Sequence, residues 1–220
     1  MARPADILEP LGMYEHQIAP GLRHAEIYTM QGLLGLMWHG PSDAEQVVVA
    51  CSGGMGGFLG PCRGLYHQLG TRLATLGIAT VCIDYRQPSR LEPCVLDAVA
   101  AVDLAAQNGA SRVVAIGHSF GGAVAINLAI ALPSAVAGVC TLSTQSAGCE
   151  HAARLAPRPF LLIHGEHDEI LPAHTSFVVQ ALAGGHGDLE ILNGEGHGLV
   201  NSTDVLLERL TKWIPATFAS

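Results

Sequence analysis

The 220-residue chain carries 11 Lys and Arg against 19 Asp and Glu, a formal net charge of −8, so neither a nucleic-acid backbone nor an anionic membrane surface is an expected partner. Its length suffices for one full core, 49% of its residues are apolar, and no apolar run reaches the length of a membrane span. The first ten residues, Met1 to Pro10, hold no apolar signal-peptide core, which makes a cytoplasmic, single-domain protein the expectation.

Residues 1–20 read as an irregular lead-in, because Pro4, Pro10 and Pro20 interrupt any regular element. Residues 23–30 and 33–39 have strand character, and Gln31-Gly32 between them predicts an antiparallel hairpin. From Gln46 the pattern alternates strand and helix. The continuous apolar run 47–51 suits a strand covered on both faces, and a Gly-rich segment, 52–60, follows it. Leu65, Leu69, Leu73 and Leu76 recur at helical spacing up to Gly77, before a strand over 78–84. Ser89-x-x-Glu92 has the form of a capping box for a helix reaching about Gln107.

A β-branched strand then enters Gly117-His118-Ser119-Phe120-Gly121-Gly122, and a helix of small residues, 123–131, leaves it and stops at Pro133. Strands over 137–143, 160–164 and 189–192 follow, with a helix opened by Pro172 and running towards Ala183. Asn201 or Ser202 caps a last helix that Pro215 ends. Two antiparallel strands followed by right-handed βα units give an α/β fold: a doubly wound, mostly parallel eight-stranded sheet with helices on both faces.

Six cysteines could form disulfides, but Cys51, Cys82 and Cys140 fall in or at the ends of predicted strands and read as buried, reduced thiols. His164-x-x-His167 lacks a third ligand at a familiar spacing, so no metal is expected. The Gly-rich segment has no following Lys-Ser/Thr and no G-x-G-x-x-G, which argues against nucleotide as cofactor.

Gly117-x-Ser119-x-Gly121 between a strand and a helix is the context of a nucleophile elbow. A serine hydroxyl needs a base to take its proton and an acid to orient that base. Two loops at carboxyl ends of predicted strands offer them. Residues 165–172 hold Glu166, His167, Asp168 and Glu169, and residues 193–199 hold His197. The residues alone leave Glu166 or Glu169 as rival acids and His164, His167, His174 or His186 as rival bases.

On these three motifs, in this order, the chain resembles α/β-hydrolase-fold serine hydrolases over about residues 23–213. The resemblance implies Ser119 as nucleophile, Asp168 (followed by Ile170-Leu171-Pro172) as acid and His197 as base. It also implies an oxyanion hole made by the Phe120 N–H and the N–H of Gly54 or Met55. Members often have His-Gly where this chain has Ser52-Gly53. The interval 144–159 is too short for a cap domain, so the resemblance is to small capless esterases, thioesterases and dienelactone-hydrolase-like proteins. Dienelactone hydrolases proper use cysteine where Ser119 stands. Phe58, Leu59, His118, Gln145, Leu171 and Leu199 are the expected pocket residues. The implied activity is cleavage of a small carboxylic ester or thioester through an acyl-enzyme, with no cofactor or metal. Acyl transfer, perhydrolysis or lyase chemistry at the same site, and ligand binding without catalysis, stay open.

Overall fold

A computed structural model describes residues 4–220. Nine strands form one sheet: β1 (Gly12–Ala19), β2 (Leu22–Thr29), β3 (Gly32–His39), β4 (Gln46–Cys51), β5 (Ala79–Asp84), β6 (Arg112–His118), β7 (Val136–Leu142), β8 (Phe160–Gly165) and β9 (Asp188–Leu192). Their spatial order is β1-β2-β3-β5-β4-β6-β7-β8-β9. The first three strands and the β3–β5 pair are antiparallel, and every later pairing is parallel. Five helices cover the faces: α1 (Pro61–Ala74), α2 (Leu91–Gln107), α3 (Phe120–Ala131), α4 (His174–Leu182) and α5 (Thr203–Ala219).

The period-two alternation of the strands divides the core. Val47, Val49, Val81, Ile83, Val113 and Ala115 face α2, α3 and α4, whereas Val48, Ala50, Cys82, Val114 and Ile116 face α1 and α5. Strands buried on both faces must be apolar throughout, which is why 47–51 and 113–117 were unbroken runs. The alanines of α2 and α3 let these helices lie close to the sheet and to each other.

Four expectations are corrected. The sheet has nine strands rather than eight, because much of the supposed lead-in is ordered: Pro4–Leu8 is a 3-10 turn and β1 pairs with β2. Residues 1–3 of that lead-in lie outside the described residues. Ser89 is not a helix cap; Arg90 holds the N-cap position of α2, and Ser89 has φ 67°. Ser202 does sit at the N-cap of α5, but its hydroxyl donates to Glu195 Oε1 at 2.6 Å instead of capping the helix. Pro215 does not end α5, whose buried face continues through Ile214 to Phe218.

All six cysteines are buried. Burial pushes the thiols of Cys51, Cys62, Cys94 and Cys149 up to about 12, and raises Cys82 and Cys140 as well, so none is an activated thiolate. Among the described residues no helix is long and apolar enough to cross a membrane. The link from β7 to β8 contains only a short 3-10 turn, Ala152–Leu155, as regular structure.

Candidate active site

The carboxyl ends of β4, β6, β8 and β9 meet at one edge of the sheet, where open α/β sheets place their ligands. At the end of β6 the chain reverses into α3 within one residue. Ser119 takes φ 56° and ψ −121°, a conformation that costs a residue with a side chain roughly 1–3 kcal/mol. The surroundings hold it there. A Cβ on Gly117 would lie 2.0 Å from the Gly121 carbonyl oxygen, and one on Gly121 would lie 2.2 Å from the Cys51 oxygen. A Cβ on Gly122 would meet Thr144 Oγ1 at 2.1 Å. The turn is further fixed by the Ser119 N–H donating to Leu142 O at 2.8 Å and the Gly122 N–H donating to Ser119 O at 3.1 Å.

Asp168 follows β8 with its carboxylate fully engaged. Oδ1 accepts the N–H groups of Ile170 (2.9 Å) and Leu171 (2.7 Å); Oδ2 accepts Nδ1–H of His197 at 2.7 Å. Burial by itself would raise this carboxyl, but the Leu171 N–H, the His197 ring and the Ile170 N–H outweigh it and hold the pKa below the ordinary value. A second imidazole reaches the same oxygen. His164 Nε2 lies 3.0 Å from Asp168 Oδ2 and 2.9 Å from Leu171 O; both can only accept, so Nε2 carries the hydrogen. His164 Nδ1 then accepts the Ser176 hydroxyl at 2.6 Å.

With its Nδ1–H given to Asp168, a neutral His197 keeps a lone pair on Nε2. The loop that carries it is pinned from three sides. Its N–H donates to Glu169 Oε2 at 3.3 Å, and its carbonyl accepts Nε2–H of His118 at 3.0 Å. The Cys62 N–H donates to Gly198 O at 2.9 Å, and the Cys62 thiol to Leu199 O at 3.0 Å. Ser119 and His197 border the same lobe of a cleft. Among the described residues no hydrogen bond joins the Ser119 hydroxyl to the ring, a gap common before substrate binds.

The rival assignments separate clearly. Glu166 accepts the Gly194 N–H at 3.0 Å and Glu169 that of His197, so neither meets the His197 ring nitrogen. His164 is buried behind Asp168, His167 is exposed beside Glu166, and His186 donates to Arg158 O at 2.6 Å. His164 and His167 therefore diverge. Leu199 is corrected as a pocket residue: it is 0% exposed in the core under α1 and α5.

The loop after β4 is ordered by groups the sequence did not reveal. The Gly57 N–H donates to Asp84 Oδ1 at 2.7 Å, the Gly56 N–H to Gly53 O at 3.0 Å, and the Ser89 hydroxyl to Gly54 O at 2.7 Å. Gly56 thus spends its donor within the loop and Gly57 on the carboxylate at the end of β5. Gly54 borders both lobes of the cleft together with Ser119; Met55 borders one. One lobe, about 470 Å³, holds Phe120, Gln145 and Leu171, and the other, about 550 Å³, holds Phe58, Leu59 and His118.

Burial pulls the His118 pKa from 6.5 down to about 4, against the upward effect of its bond to the His197 carbonyl. Burial, then the neighbouring His67, does the same to His39. Both rings are proton-poor in the folded state, so the stability they supply is full above pH 6.5 and is lost as pH falls towards 4. The loss is on the order of 1–3 kcal/mol per ring. Urea midpoints should fall between about pH 7 and about pH 4.5, and less steeply in His39→Leu; equal slopes in both proteins would contradict the assignment.

The sequence model of the phospholipase/carboxylesterase family matches residues 96–212, more than half of the chain and all of the segment from the elbow to the His197 loop. The chain belongs to this family. As a phospholipase/carboxylesterase family member it is a hydrolase of the α/β-hydrolase fold. No curated protein matches it. Among solved structures it is similar in fold to Est1E from Butyrivibrio proteoclasticus, with a TM-score of 0.72 and 16% identity over 90% of this chain and 99% of that one. A putative alpha/beta hydrolase from Agrobacterium tumefaciens also gives a TM-score of 0.72, at 18% identity, covering 89% of this chain and 96% of that one. Dienelactone hydrolase from Anabaena variabilis gives 0.62 at 16% identity, covering 91% and 98% respectively.

Proposed function

We propose that the protein is a serine hydrolase that cleaves a small carboxylic ester or thioester through an acyl-enzyme. The observation that carries this is the 2.7 Å bond from His197 Nδ1 to the buried Asp168 carboxylate, at the same sheet edge as the strained turn at Ser119. Asp168 fixes the tautomer that leaves His197 Nε2 free to take the Ser119 proton and stabilises the imidazolium that results. Ser119 Oγ then bonds to the substrate carbonyl carbon. The oxyanion is held by the Phe120 N–H at the start of α3 and, we infer, by Gly54 N–H in preference to Met55. Gly54 borders both lobes and lies close to Phe120: a Cβ on it would be 3.8 Å from Phe120 Cβ. His197 returns its proton to the leaving oxygen or sulfur, and water, deprotonated by the same ring, releases the acid.

Similar structures agree with this substrate class: Est1E has been solved with ferulic acid, a carboxylic acid, and another neighbour is the thioesterase domain from the curacin biosynthetic pathway. A common acetyl-enzyme makes a specific prediction. In methanol–water, phenyl acetate and p-nitrophenyl acetate should give one and the same ratio of methyl acetate to acetate. A ratio that changes with the leaving group would contradict the covalent route.

A further inference from the structure

The two lobes of the cleft are not equivalent, and the difference assigns the direction in which an ester lies. This inference rests on the serine-hydrolase reading. In the tetrahedral intermediate at Ser119 the oxyanion points at the Phe120 and Gly54 N–H groups. The two remaining substituents must then divide between the lobes. Only the leaving atom needs a proton, and it must receive it from His197 as the bond to the carbonyl carbon breaks. His197 borders the lobe of Met55, Phe58 and Leu59 and does not border the lobe of Gln145 and Leu171. The leaving group therefore departs along the first lobe, and the acyl group sits in the second.

The walls of each lobe then state what it takes. The leaving-group lobe is bordered by apolar side chains with little else to cover them: Met55 is 96% and Leu59 62% exposed. Phe58 forms its back wall, held edge-on against His24 at 5.4 Å and tight over Gly35, whose Cβ would be 2.8 Å from the ring. The acyl lobe offers less apolar side chain: Gln145 and the backbone of Ala147 and Gly148 stand beside Leu91 and Leu171, and Ser89 and Ile170 border both lobes alike. Gly148 abuts Leu91 so closely that a Cβ there would come 2.6 Å from Leu91 Cδ2, and the Gln145 amide is tied to Ala147 O at 2.9 Å. Burial of an alkyl chain is favoured roughly in proportion to the apolar area covered, so a long chain gains more in the first lobe than in the second. We propose that the preferred substrates are esters or thioesters of a short acid with a larger apolar alcohol or thiol.

Octyl acetate and ethyl octanoate test this, because they are isomers that differ only in which side of the ester is long. The wild type should hydrolyse octyl acetate with kcat/KM at least about 10-fold above that of ethyl octanoate, the size expected from a few buried methylenes. Leu59→Asp should bring the ratio close to unity by lowering octyl acetate turnover. Equal rates in the wild type, or preference for ethyl octanoate, would overturn the assignment of the lobes. Cleavage of neither isomer by protein whose Ser119 still reacts with a phosphonate would also overturn it. If Ser119 does not react either, the serine-hydrolase reading itself fails.

Discussion

Replacing Ser119 by alanine should lower ester turnover by about 10⁵-fold or more while leaving the protein folded. The size follows from the covalent route: without the hydroxyl there is no nucleophile, and what remains is the N–H pair and binding. The fold should tolerate the change. Ser119 already holds its strained backbone through neighbours rather than through its own side chain. Its N–H and carbonyl remain bonded to Leu142 and Gly122 in the variant. The thermal midpoint should stay within the shift expected for about 1 kcal/mol. Turnover of an activated ester and a melting curve on the same preparation check both halves. Wild-type activity in a folded Ser119→Ala protein would remove the proposed mechanism altogether.

Gly121→Ala should cost much stability, above about 4 kcal/mol or enough to prevent folding. The new methyl would lie 2.2 Å from Cys51 O, 2.4 Å from Ser52 O and 2.8 Å from Cys51 C. All are backbone atoms at the end of β4, so no rotamer change relieves the contact; α3 must lift from the sheet. Gly185→Ala is the matched control. Gly185, unlike Gly121, has positive φ, 80°, and nothing lies within 4 Å of its Cβ position, so only backbone strain of about 1 kcal/mol applies. Urea denaturation of the two variants separates contact from strain, and equal losses would contradict the close approach of α3 to β4.

The parallel strands were legible because burial on both faces leaves an unbroken apolar run, as at 47–51 and 113–117. β1 was not, because residues 13–19 are exposed and an edge strand with no buried face writes no pattern. Its pairing with β2 is made by backbone groups. Pro215 looked like a stop, yet Ile214 and Phe218 are buried, and their packing carries α5 past a proline that costs one hydrogen bond. Ser89 matched a capping box by spacing, but its hydroxyl is spent on Gly54 O, a partner 35 residues away.

The same distinction holds at the site. The proposed triad, Ser119, Asp168 and His197, was indicated by local motifs, their order and the family resemblance. Most of the groups that hold them were not, because they act across a long separation in sequence: Glu169 on the His197 N–H, His118 on the His197 carbonyl, and Asp84 on Gly57. His164 is only four residues from Asp168, but its contact depends on how the chain turns after β8. Leu199 was misplaced for a related reason. A loop leucine beside His197 reads as a rim residue, but its φ of 52° and the Cys62 thiol on its carbonyl accompany a side chain turned into the core.

The most direct test is intact mass after incubation with a fluorophosphonate, on wild type and on Ser119→Ala. Phosphonates react with a serine hydroxyl only when a base and an oxyanion hole activate it. One adduct on the wild type and none on the variant is the predicted result. A folded wild type that stays unmodified, or a variant that labels as well as the wild type, would contradict the assignment of Ser119 as the nucleophile.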